Sequence, residues 1–396
     1  MSLIKQSVAL SVANIKSLPR RAWISASLIF SVALVVTVLL GFLAMSNGFR
    51  SSLQQAGSPD IAIVLGTGAA TELGSQIEPS QLHFLAQAEG ITRDANGQPI
   101  ISTELVVPVD ATEKGSGLFE TLSLRGISAN GFAVRPSVEI TQGRTFTPGA
   151  AEIVVGSRLA AAYEGLALGD EVTFGSSMWT VVGVFSAGGS VFESEMFADA
   201  QIVQTLFNRP NLIQSARIKM VSPDALAPLT AFAQDTPQVS LPLKSEVDYF
   251  SGMAQSTSQL ILYLGWPLAI TMAAGAVIGA LTTMYSSVSD RSTEIATVRT
   301  IGFSRTAAFV GTWIEAMVLT IIGCAVGVTF AYLALDGWTA STTSADQTQI
   351  GFQLMLTPDL IGQAVILALC IGAIGGGLPA MNATRIPLRL AMTGRS

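Results

Sequence analysis

Residues 22–45 read AWISASLIFSVALVVTVLLGFLAM, a run without a single charged side chain. Residues 258–287, 306–335 and 360–384 have the same character, and Glu315 is the only charge in these three stretches. A helix needs about 20 apolar residues to cross about 30 Å of hydrocarbon. A chain in lipid must also satisfy its own backbone hydrogen bonds, which a helix does. The sequence therefore predicts four membrane-spanning helices.

Overall composition supports this prediction. Only 12% of the residues are charged, against about 25% in soluble domains, and the mean hydropathy is +0.53. Cys324 and Cys370 both fall inside predicted spans. We therefore interpret them as small packing residues and expect no disulfide.

The length of the first apolar run distinguishes a membrane anchor from a cleavable signal peptide. The apolar stretch of a signal peptide has about 7–15 residues, and the run here is about twice as long. Apolar side chains within residues 1–21 recur at helical spacing. We therefore predict an amphipathic helix over residues 1–21 on the cytoplasmic membrane surface, followed by an uncleaved span. The apolar positions are Ile4, Val8, Val12 and Ile15, and the basic ones are Lys5, Lys16, Arg20 and Arg21.

Short loops decide the orientation, because Lys and Arg accumulate on the cytoplasmic side. Residues 1–21, 288–305 and 385–396 are rich in these residues, whereas the loop 336–358 contains neither. Both termini and residues 288–305 are therefore predicted to be cytoplasmic in a bacterial inner membrane. Residues 46–257 are predicted to be extracytoplasmic, and they contain 21 acidic and 11 basic residues. Such an acidic domain is usually just solvated, and we expect no nucleic acid partner.

The external segment combines strand and helix patterns, which predicts an α+β domain that could divide into two subdomains. A hairpin is expected around Gly175-Ser176-Ser177. The predicted strands are 61–65, 100–109, 121–127, 152–155, 172–174 and 179–184. The predicted helices are 157–165, 199–207 and 223–234.

Catalytic and metal-binding patterns are missing from the sequence. His83 is the only histidine, so neither a Ser-His-Asp set nor a histidine-rich metal site can form. Gly66-Thr67-Gly68 resembles part of a phosphate loop but lacks the Gly-Lys-Ser/Thr that follows in such loops. We expect no enzyme activity, no metal and no cofactor bound by this chain.

The most informative polar segment joins the second and third spans. Residues 289–301 predict a helix in which charges of both signs alternate, and Gly302 predicts its end. Ser304 is placed to cap the next helix. An apolar stripe at Ile295, Val298 and Ile301 suits docking against a cytoplasmic partner. The alternative is a solvated loop with ordinary topogenic arginines. The charged residues are Asp290, Arg291, Glu294 and Arg299.

An ordered set of motifs resembles the MacB/FtsX-type permeases of ABC transporters. DRSTEIATVRTIGFSR (290–305) and WIEAMVLTIIGCAVG (313–327) carry the resemblance. In the external segment it continues through LRGIS (124–128), GRTF (143–146), EIVVGSRLA (152–160), LGDEVTF (168–174) and WTVVGVF (179–185). GGGLPAMNATRIPLRLAM (375–392) completes it.

This resemblance implies a four-span bundle with a MacB-like periplasmic core domain, acting as a permease subunit. The family implies a separate cytoplasmic ATPase that carries ATP and Mg, a dimer of permeases, and in many members an adaptor and an outer-membrane channel. Unlike the macrolide exporter, this chain has no fused ATPase domain. Residues 288–305 would dock the ATPase, through Asp290, Arg291, Glu294, Ile295, Val298, Arg299, Gly302 and Arg305.

Small residues and one carboxylate mark the later spans. Glycine pairs four residues apart allow close helix approach in lipid, although any single pair could reflect mere tolerance of glycine. The pairs are Gly275 with Gly279, Gly323 with Gly327, and Gly372 with Gly376. Pro267 could bend the second span. Glu315 could couple the docking helix to the bundle, or could be a glutamate at the lipid headgroups.

The function expected from the resemblance is transmission of ATP-driven motion to the periplasmic domain, in tripartite export of a hydrophobic or amphiphilic compound. Release of lipoprotein or lipid from the membrane is one alternative. Transmembrane regulation of a cell-wall hydrolase or a sensor kinase is another. A membrane-anchored binding protein is disfavoured, because anchoring does not require four spans.

Overall fold

The computed structural model describes residues 3–343 and 348–385. These residues divide into two compact units. The helical unit comprises residues 3–47, 259–338 and 354–385, and the sheet unit comprises residues 48–258 and 339–353 without the gap. Helices α2 and α7, whose bounds follow, contribute residues to both units.

The described residues form ten α-helices. They are α1 (Leu3–Ser17), α2 (Ala22–Gln54), α3 (Pro79–Leu85), α4 (Ser157–Ala162), α5 (Ala200–Leu206), α6 (Leu226–Asp235), α7 (Glu246–Asp290), α8 (Ser292–Thr300), α9 (Arg305–Leu335) and α10 (Pro358–Arg385).

The described residues also form twelve strands. They are β1 (Ile61–Leu65), β2 (Ile101–Thr112), β3 (Phe119–Ile127), β4 (Glu139–Gly143), β5 (Glu152–Gly156), β6 (Glu171–Phe174), β7 (Ser177–Ser186), β8 (Glu195–Asp199), β9 (Ser215–Lys219), β10 (Leu243–Ser245), β11 (Thr339–Thr343) and β12 (Gln349–Gln353).

Four helices, α2, α7, α9 and α10, are long and apolar enough to cross a membrane, judged by length and composition. This finding confirms the predicted four-span architecture. Two of them extend about ten residues beyond the predicted spans, since α2 runs on to Gln54 and α7 begins at Glu246. The extensions are polar but amphipathic, and their apolar side chains Phe49, Leu53 and Phe250 are buried in the sheet unit. Helix α7 continues through Pro267 without a break.

Glycines let the helices of the helical unit approach closely. A Cβ atom added at Gly323 would lie 2.8 Å from the carbonyl oxygen of Ile29, and one added at Gly327 would lie 2.6 Å from that of Ala33. Because real Cβ atoms do not come this near, only glycine permits this packing of α9 on α2. Gly372 and Gly376 of α10 likewise pack on Thr320 and Ala316 of α9.

The pair Gly275 and Gly279 does not follow this pattern. A Cβ atom added at either residue would meet no described atom within 4 Å. We expected the three glycine pairs to favour either a packed bundle or a dimer. This pair makes no such contact within the described chain, so for Gly275 and Gly279 the dimer stays a prediction. The face of α7 that carries the two glycines is open.

The sheet unit is built on one mixed sheet. Within the described residues ten strands pair in the order β10-β1-β9-β2-β3-β8-β5-β7-β4, and β6 pairs with β7. Strands β3 and β8 are parallel, as are β5 and β7, and the other pairs are antiparallel. Strands β11 and β12 form a separate hairpin.

Two apolar cores lie on this sheet. Helices α4 and α5 cover strands β2, β3, β5, β7 and β8, with Trp179 and Leu124 fully buried. Helices α3 and α6 cover strands β1, β9 and β10, with Leu85 and Leu229 fully buried. The predicted division into two subdomains therefore takes the form of two apolar cores on a single continuous sheet.

The predicted strands all lie within observed ones or overlap them, and β6 and β7 form the expected hairpin, with Phe174 paired to Ser177. Four sheet strands, β4, β8, β9 and β10, were not predicted. Strands β8 and β9 carry charges at inward positions, Glu195 and Arg217 among them, which hides the apolar pattern of a buried strand. The segment 336–358, predicted as a plain loop, contains the β11–β12 hairpin.

Candidate functional site

The predicted docking segment is two helical pieces. We expected one helix to run unbroken from the second span to Ile301, but α7 ends at Asp290 and α8 begins at Ser292. Arg291 lies between them with φ −103° and ψ 10°, which is outside the helical region. The prediction of a continuous helix is therefore wrong at this residue, whose side chain makes long-range contacts.

The guanidinium group of Arg291 joins three segments of the helical unit. It donates to Glu315 of α9 over 3.1 Å and to Glu294 of α8 over 3.3 Å. It also donates to the side-chain oxygen of Asn14 on α1. Arg291 and Glu315 are both buried. Because a buried charge is tolerated only when it is paired, this contact fixes the start of α8 against α1 and α9.

The end of the docking segment is held as well. Gly302 has φ +109°, a conformation that glycine adopts without steric cost, and it ends the helical run where expected. Ser304 caps α9 by accepting a hydrogen bond from the backbone N–H of Ala307 over 3.1 Å, as predicted. The side chain of Gln6 on α1 accepts from the N–H of Ser304 over 3.1 Å and donates to the carbonyl of Gly302 over 3.4 Å.

The predicted docking residues therefore differ in exposure. Arg291 is internal, whereas the Glu294 side chain is 69% exposed. Ile301 is 75% exposed and is the outermost residue of the predicted apolar stripe. Ile295, Val298 and Arg299 are half-buried, and Asp290, Gly302 and Arg305 are exposed.

Gln6 and Asn14 were missed by sequence reasoning. A signal was present, because α1 carries the polar side chains of Gln6, Ser11 and Asn14 among its apolar residues. Ser11 and Asn14 are buried, while the apolar Ile4 and Val8 are exposed. A helix whose polar side faces the protein and whose apolar side faces outward is what a membrane surface requires.

The sheet unit holds a second charge-rich region, a buried network of three arginines and four glutamates. Glu104 on β2 is at its centre, and its carboxylate accepts two hydrogen bonds from Arg135, at 2.6 and 2.7 Å. The same carboxylate contacts Arg125 on β3 at 3.2 Å and also accepts from Arg217 on β9. All four residues are almost fully buried.

Three more carboxylates complete the network. Arg125 donates two hydrogen bonds to Glu195 on β8, at 2.7 and 2.8 Å, and one to Glu72 at 2.5 Å. Arg217 donates to Glu246, the first residue of α7, over 2.9 Å. The network therefore ties the adjacent strands β9, β2, β3 and β8 to the first turn of α7.

These charges control the pKa values of the carboxyl groups. Burial alone would raise the pKa of Glu104, but the guanidinium groups of Arg135 and Arg217 outweigh it and hold that pKa well below 4.5, its ordinary value. The pKa of Glu72 is lowered in the same way, since Arg125 and Arg217 outweigh its burial. Both groups are therefore carboxylates at neutral pH, and the centre of the network is ionic.

His83 and the loop at Gly66, two candidates from the sequence, make contacts of a structural kind. His83 is exposed on α3 with its ring edge to Phe84. The N–H of Gly66 donates to the Ser75 hydroxyl, and the Thr67 hydroxyl donates to the Ser240 carbonyl, so this loop is held by the protein itself. Among residues 3–343 and 348–385, no cluster of His, Cys, Asp and Glu suits a metal ion. Residues 386–396 of the predicted tail lie outside the described residues.

Two protein-family models together match most of this chain. The family model of the MacB-like periplasmic core domain matches residues 25–240. The model of the FtsX-like permease C-terminal region matches residues 267–388, which include the docking segment. No curated protein matches this chain.

Solved structures show distant likeness to about half of this chain. The extracellular domain of the noncanonic ABC-type transporter YknZ from Gram-positive bacteria is 18% identical, over 47% of this chain and 99% of that one, with a TM-score of 0.35. The periplasmic region of MacB from Actinobacillus actinomycetemcomitans is 17% identical, over 50% and 94%, with a TM-score of 0.37.

A domain of a putative permease protein from Porphyromonas gingivalis is 13% identical, over 46% of this chain and 85% of that one, with a TM-score of 0.28. All three likenesses are distant, and the family of this chain is assigned from the two family models. The first of these matches more than half of the chain, and the second covers most of the remainder in the expected order. The chain therefore belongs to the MacB/FtsX-type permeases of ABC transporters.

Proposed function

We propose that this permease transmits ATP-driven motion from a separate cytoplasmic ATPase subunit to its periplasmic domain. Permeases of this family generally work with such an ATPase. The observation that carries the proposal is the contact of Arg291 with Glu315 and Asn14. It holds α8 rigidly to the bundle, so a force on α8 would reach α1 and α9 without being lost in a flexible loop.

ATP hydrolysis by the separate ATPase subunit would supply the energy. The sequence contains no Gly-x-x-x-x-Gly-Lys-Ser/Thr motif, so ATP and Mg would be bound by the ATPase. Helices long enough to cross the membrane, together with the family, identify an inner-membrane protein with a periplasmic domain. The distribution of Lys and Arg supports cytoplasmic termini and a cytoplasmic docking segment.

The wider assembly follows the family. We expect a second copy of the permease, and export of a hydrophobic or amphiphilic compound through a periplasmic adaptor and an outer-membrane channel. Helices α2 and α7 would carry the motion, since each has residues in both units. Neighbouring genes separate this function from its alternatives. An adaptor gene favours export, whereas a hydrolase or sensor-kinase gene favours regulation.

The test uses two variants of the permease, reconstituted in lipid nanodiscs with the ATPase encoded beside it. Glu315→Gln removes the buried charge that pairs with Arg291 and leaves the exposed surface intact. We expect this variant to bind the ATPase as the native chain does, but to lose most of its stimulation of ATP hydrolysis. Arg305→Glu reverses an exposed charge of the docking segment, and we expect about tenfold weaker binding.

Glu171→Gln is the control for Glu315→Gln. Glu171 is exposed on β6 of the sheet unit and lies outside the docking segment, so its removal leaves no uncompensated buried charge. Stimulation should stay close to the native level. If Glu315→Gln stimulates hydrolysis as well as the native chain, Glu315 has no coupling role. If Arg305→Glu binds unchanged, residues 288–305 are not the docking site.

A further inference from the structure

A small apolar cavity opens between α1 and α8 in the helical unit. Its volume is about 140 Å³. Leu10 and Ala13 of α1 line one part of it, and Ile295 and Val298 of α8 line another. Phe303 and Ala308 complete its apolar lining, while Asn14, Arg291, Glu294 and Arg299 supply its polar part.

This cavity opens to solvent between two helices that polar contacts join. Here Gln6 and Asn14 hold α1 to the docking segment at both ends, while Ala13 between them remains exposed. The polar contacts therefore keep the walls apart in a fixed geometry, which is the condition for a preformed binding pocket.

The size of the cavity indicates its occupant. A cavity of about 150 Å³ in a protein accommodates a benzene ring, so this one has room for a single aromatic or branched apolar side chain. Ile301, 75% exposed, adds apolar surface at the end of the same segment. A pocket that receives one large side chain beside an exposed apolar residue is the usual centre of a protein interface.

The surrounding charge favours an acidic partner surface. Among the described residues of α1 the charged ones are Lys5 and Lys16, both exposed. The docking segment adds the exposed Arg305 and the half-buried Arg299, whereas its exposed acidic residues are Asp290 and Glu294. The basic side chains therefore outnumber the acidic ones by four to two. The apolar stripe of α1, which includes Ile4 and Val8, does not line the cavity, so a lipid surface and a protein partner could contact α1 on different sides.

We propose that α1 forms part of the ATPase-binding surface, and that the cavity between α1 and α8 receives one apolar side chain of the ATPase. This inference rests on the proposed function, in which residues 288–305 dock the ATPase. It adds a second element to the docking surface and specifies the partner's feature, an aromatic or branched residue flanked by carboxylates.

The first test fills the cavity from its exposed wall. Ala13→Trp places an indole where the partner side chain would enter, and Ala9→Trp is the matched control, because Ala9 is an exposed alanine of the same helix outside the cavity. With full-length chains in nanodiscs, we expect Ala13→Trp to weaken ATPase binding by about tenfold or more, as loss of an interface anchor does. Ala9→Trp should bind within about twofold of the native chain.

A second test does not depend on how the tryptophan is accommodated. A benzophenone amino acid at position 13 is irradiated in the assembled complex, with the same residue at position 9 for comparison. Cross-linking of position 13 to the ATPase, at least several-fold above position 9, supports the inference. Cross-linking only to lipid, or only to residues 386–396 of the same chain, overturns it, because another occupant then fills the cavity.

Failure of this inference differs from failure of the proposed function. If Arg305→Glu weakens ATPase binding but Ala13→Trp does not, and position 13 gives no cross-link to the ATPase, docking through residues 288–305 stands and the role of α1 falls. If the native chain itself binds no ATPase, both fall together.

Discussion

Glu104 is the residue on which the charges of the sheet unit depend. Three guanidinium groups, those of Arg125, Arg135 and Arg217, contact its single side chain. Removing one partner of a buried ion pair leaves an uncompensated charge in a medium that solvates it poorly. The loss of stability should affect strands β2, β3 and β9 together, because Glu104, Arg125 and Arg217 lie on these three strands.

Glu104→Gln is therefore expected to destabilise the sheet unit by about 3–5 kcal/mol at neutral pH. Hydrogen exchange of the amides in β2, β3 and β9 would report this as faster exchange in the full-length chain. Glu152→Gln is the control. The partner of Glu152, Arg144, has an exposed side chain, so we expect little change there. Equal exchange in both variants would contradict the central role of Glu104.

The same residue predicts an acid response. Its pKa in the folded chain lies below the ordinary 4.5, so the stability it contributes is fully present above that value and is lost as the pH falls towards the lower folded one. Glu72 acts in the same direction. We expect the protection of the amides in these strands, taken relative to the intrinsic exchange rate at each pH, to be constant down to about pH 5 and lower below it. Glu104→Gln should flatten this dependence, and Glu72 should keep part of it.

At the scale of elements, three glycine pairs with the same spacing have two different roles. Gly323 and Gly327 of α9 lie against the backbone of α2, and Gly372 and Gly376 of α10 lie against α9. Gly275 and Gly279 of α7 meet no described atom. A pair that stabilises the bundle is internal, and a pair left open on a spanning helix suits contact with another helix in the membrane.

Two leucine substitutions separate these roles. Gly327→Leu would clash with the Ala33 carbonyl, so we expect a loss of at least about 1–3 kcal/mol of stability, from overpacking. Gly275→Leu should leave the thermal stability of the monomer unchanged and weaken self-association in lipid by about tenfold. Quantitative cross-linking in nanodiscs measures the second effect, and unaltered self-association would remove α7 from the proposed dimer contact.

The elements also show what sequence can and cannot predict. The spans, Gly302 and the Ser304 cap were predictable, because lipid solubility, a positive φ and a capping hydroxyl are local properties. The contact of Arg291 with Asn14 joins positions 277 residues apart, and no local pattern encodes it. Strands β8 and β9 were missed for a related reason, since Glu195 and Arg217 are tolerated inside only because distant residues neutralise them.

For the whole molecule, the question is how the two units communicate. The chain passes between them at four points, and two of these lie within the uninterrupted helices α2 and α7. At its start, α7 is bound to the sheet through Glu246 and Arg217. Its other end is Asp290, which lies inside the docking segment and next to Arg291. The helix α7 thus begins in one charge network and ends beside the other.

If α7 transmits motion, interrupting it must uncouple the units without unfolding either. We expect four glycines inserted between Ser258 and Gln259 to leave ATPase binding unchanged, because the docking segment is untouched. The change in hydrogen exchange that ATP and vanadate cause in the sheet unit should be lost, since a glycine run does not propagate a helix. The same insertion after Gly97, in an exposed turn, should preserve that change. If the ATP-dependent change in the sheet survives the insertion in α7, this helix does not carry the motion, and α2 becomes the element to interrupt.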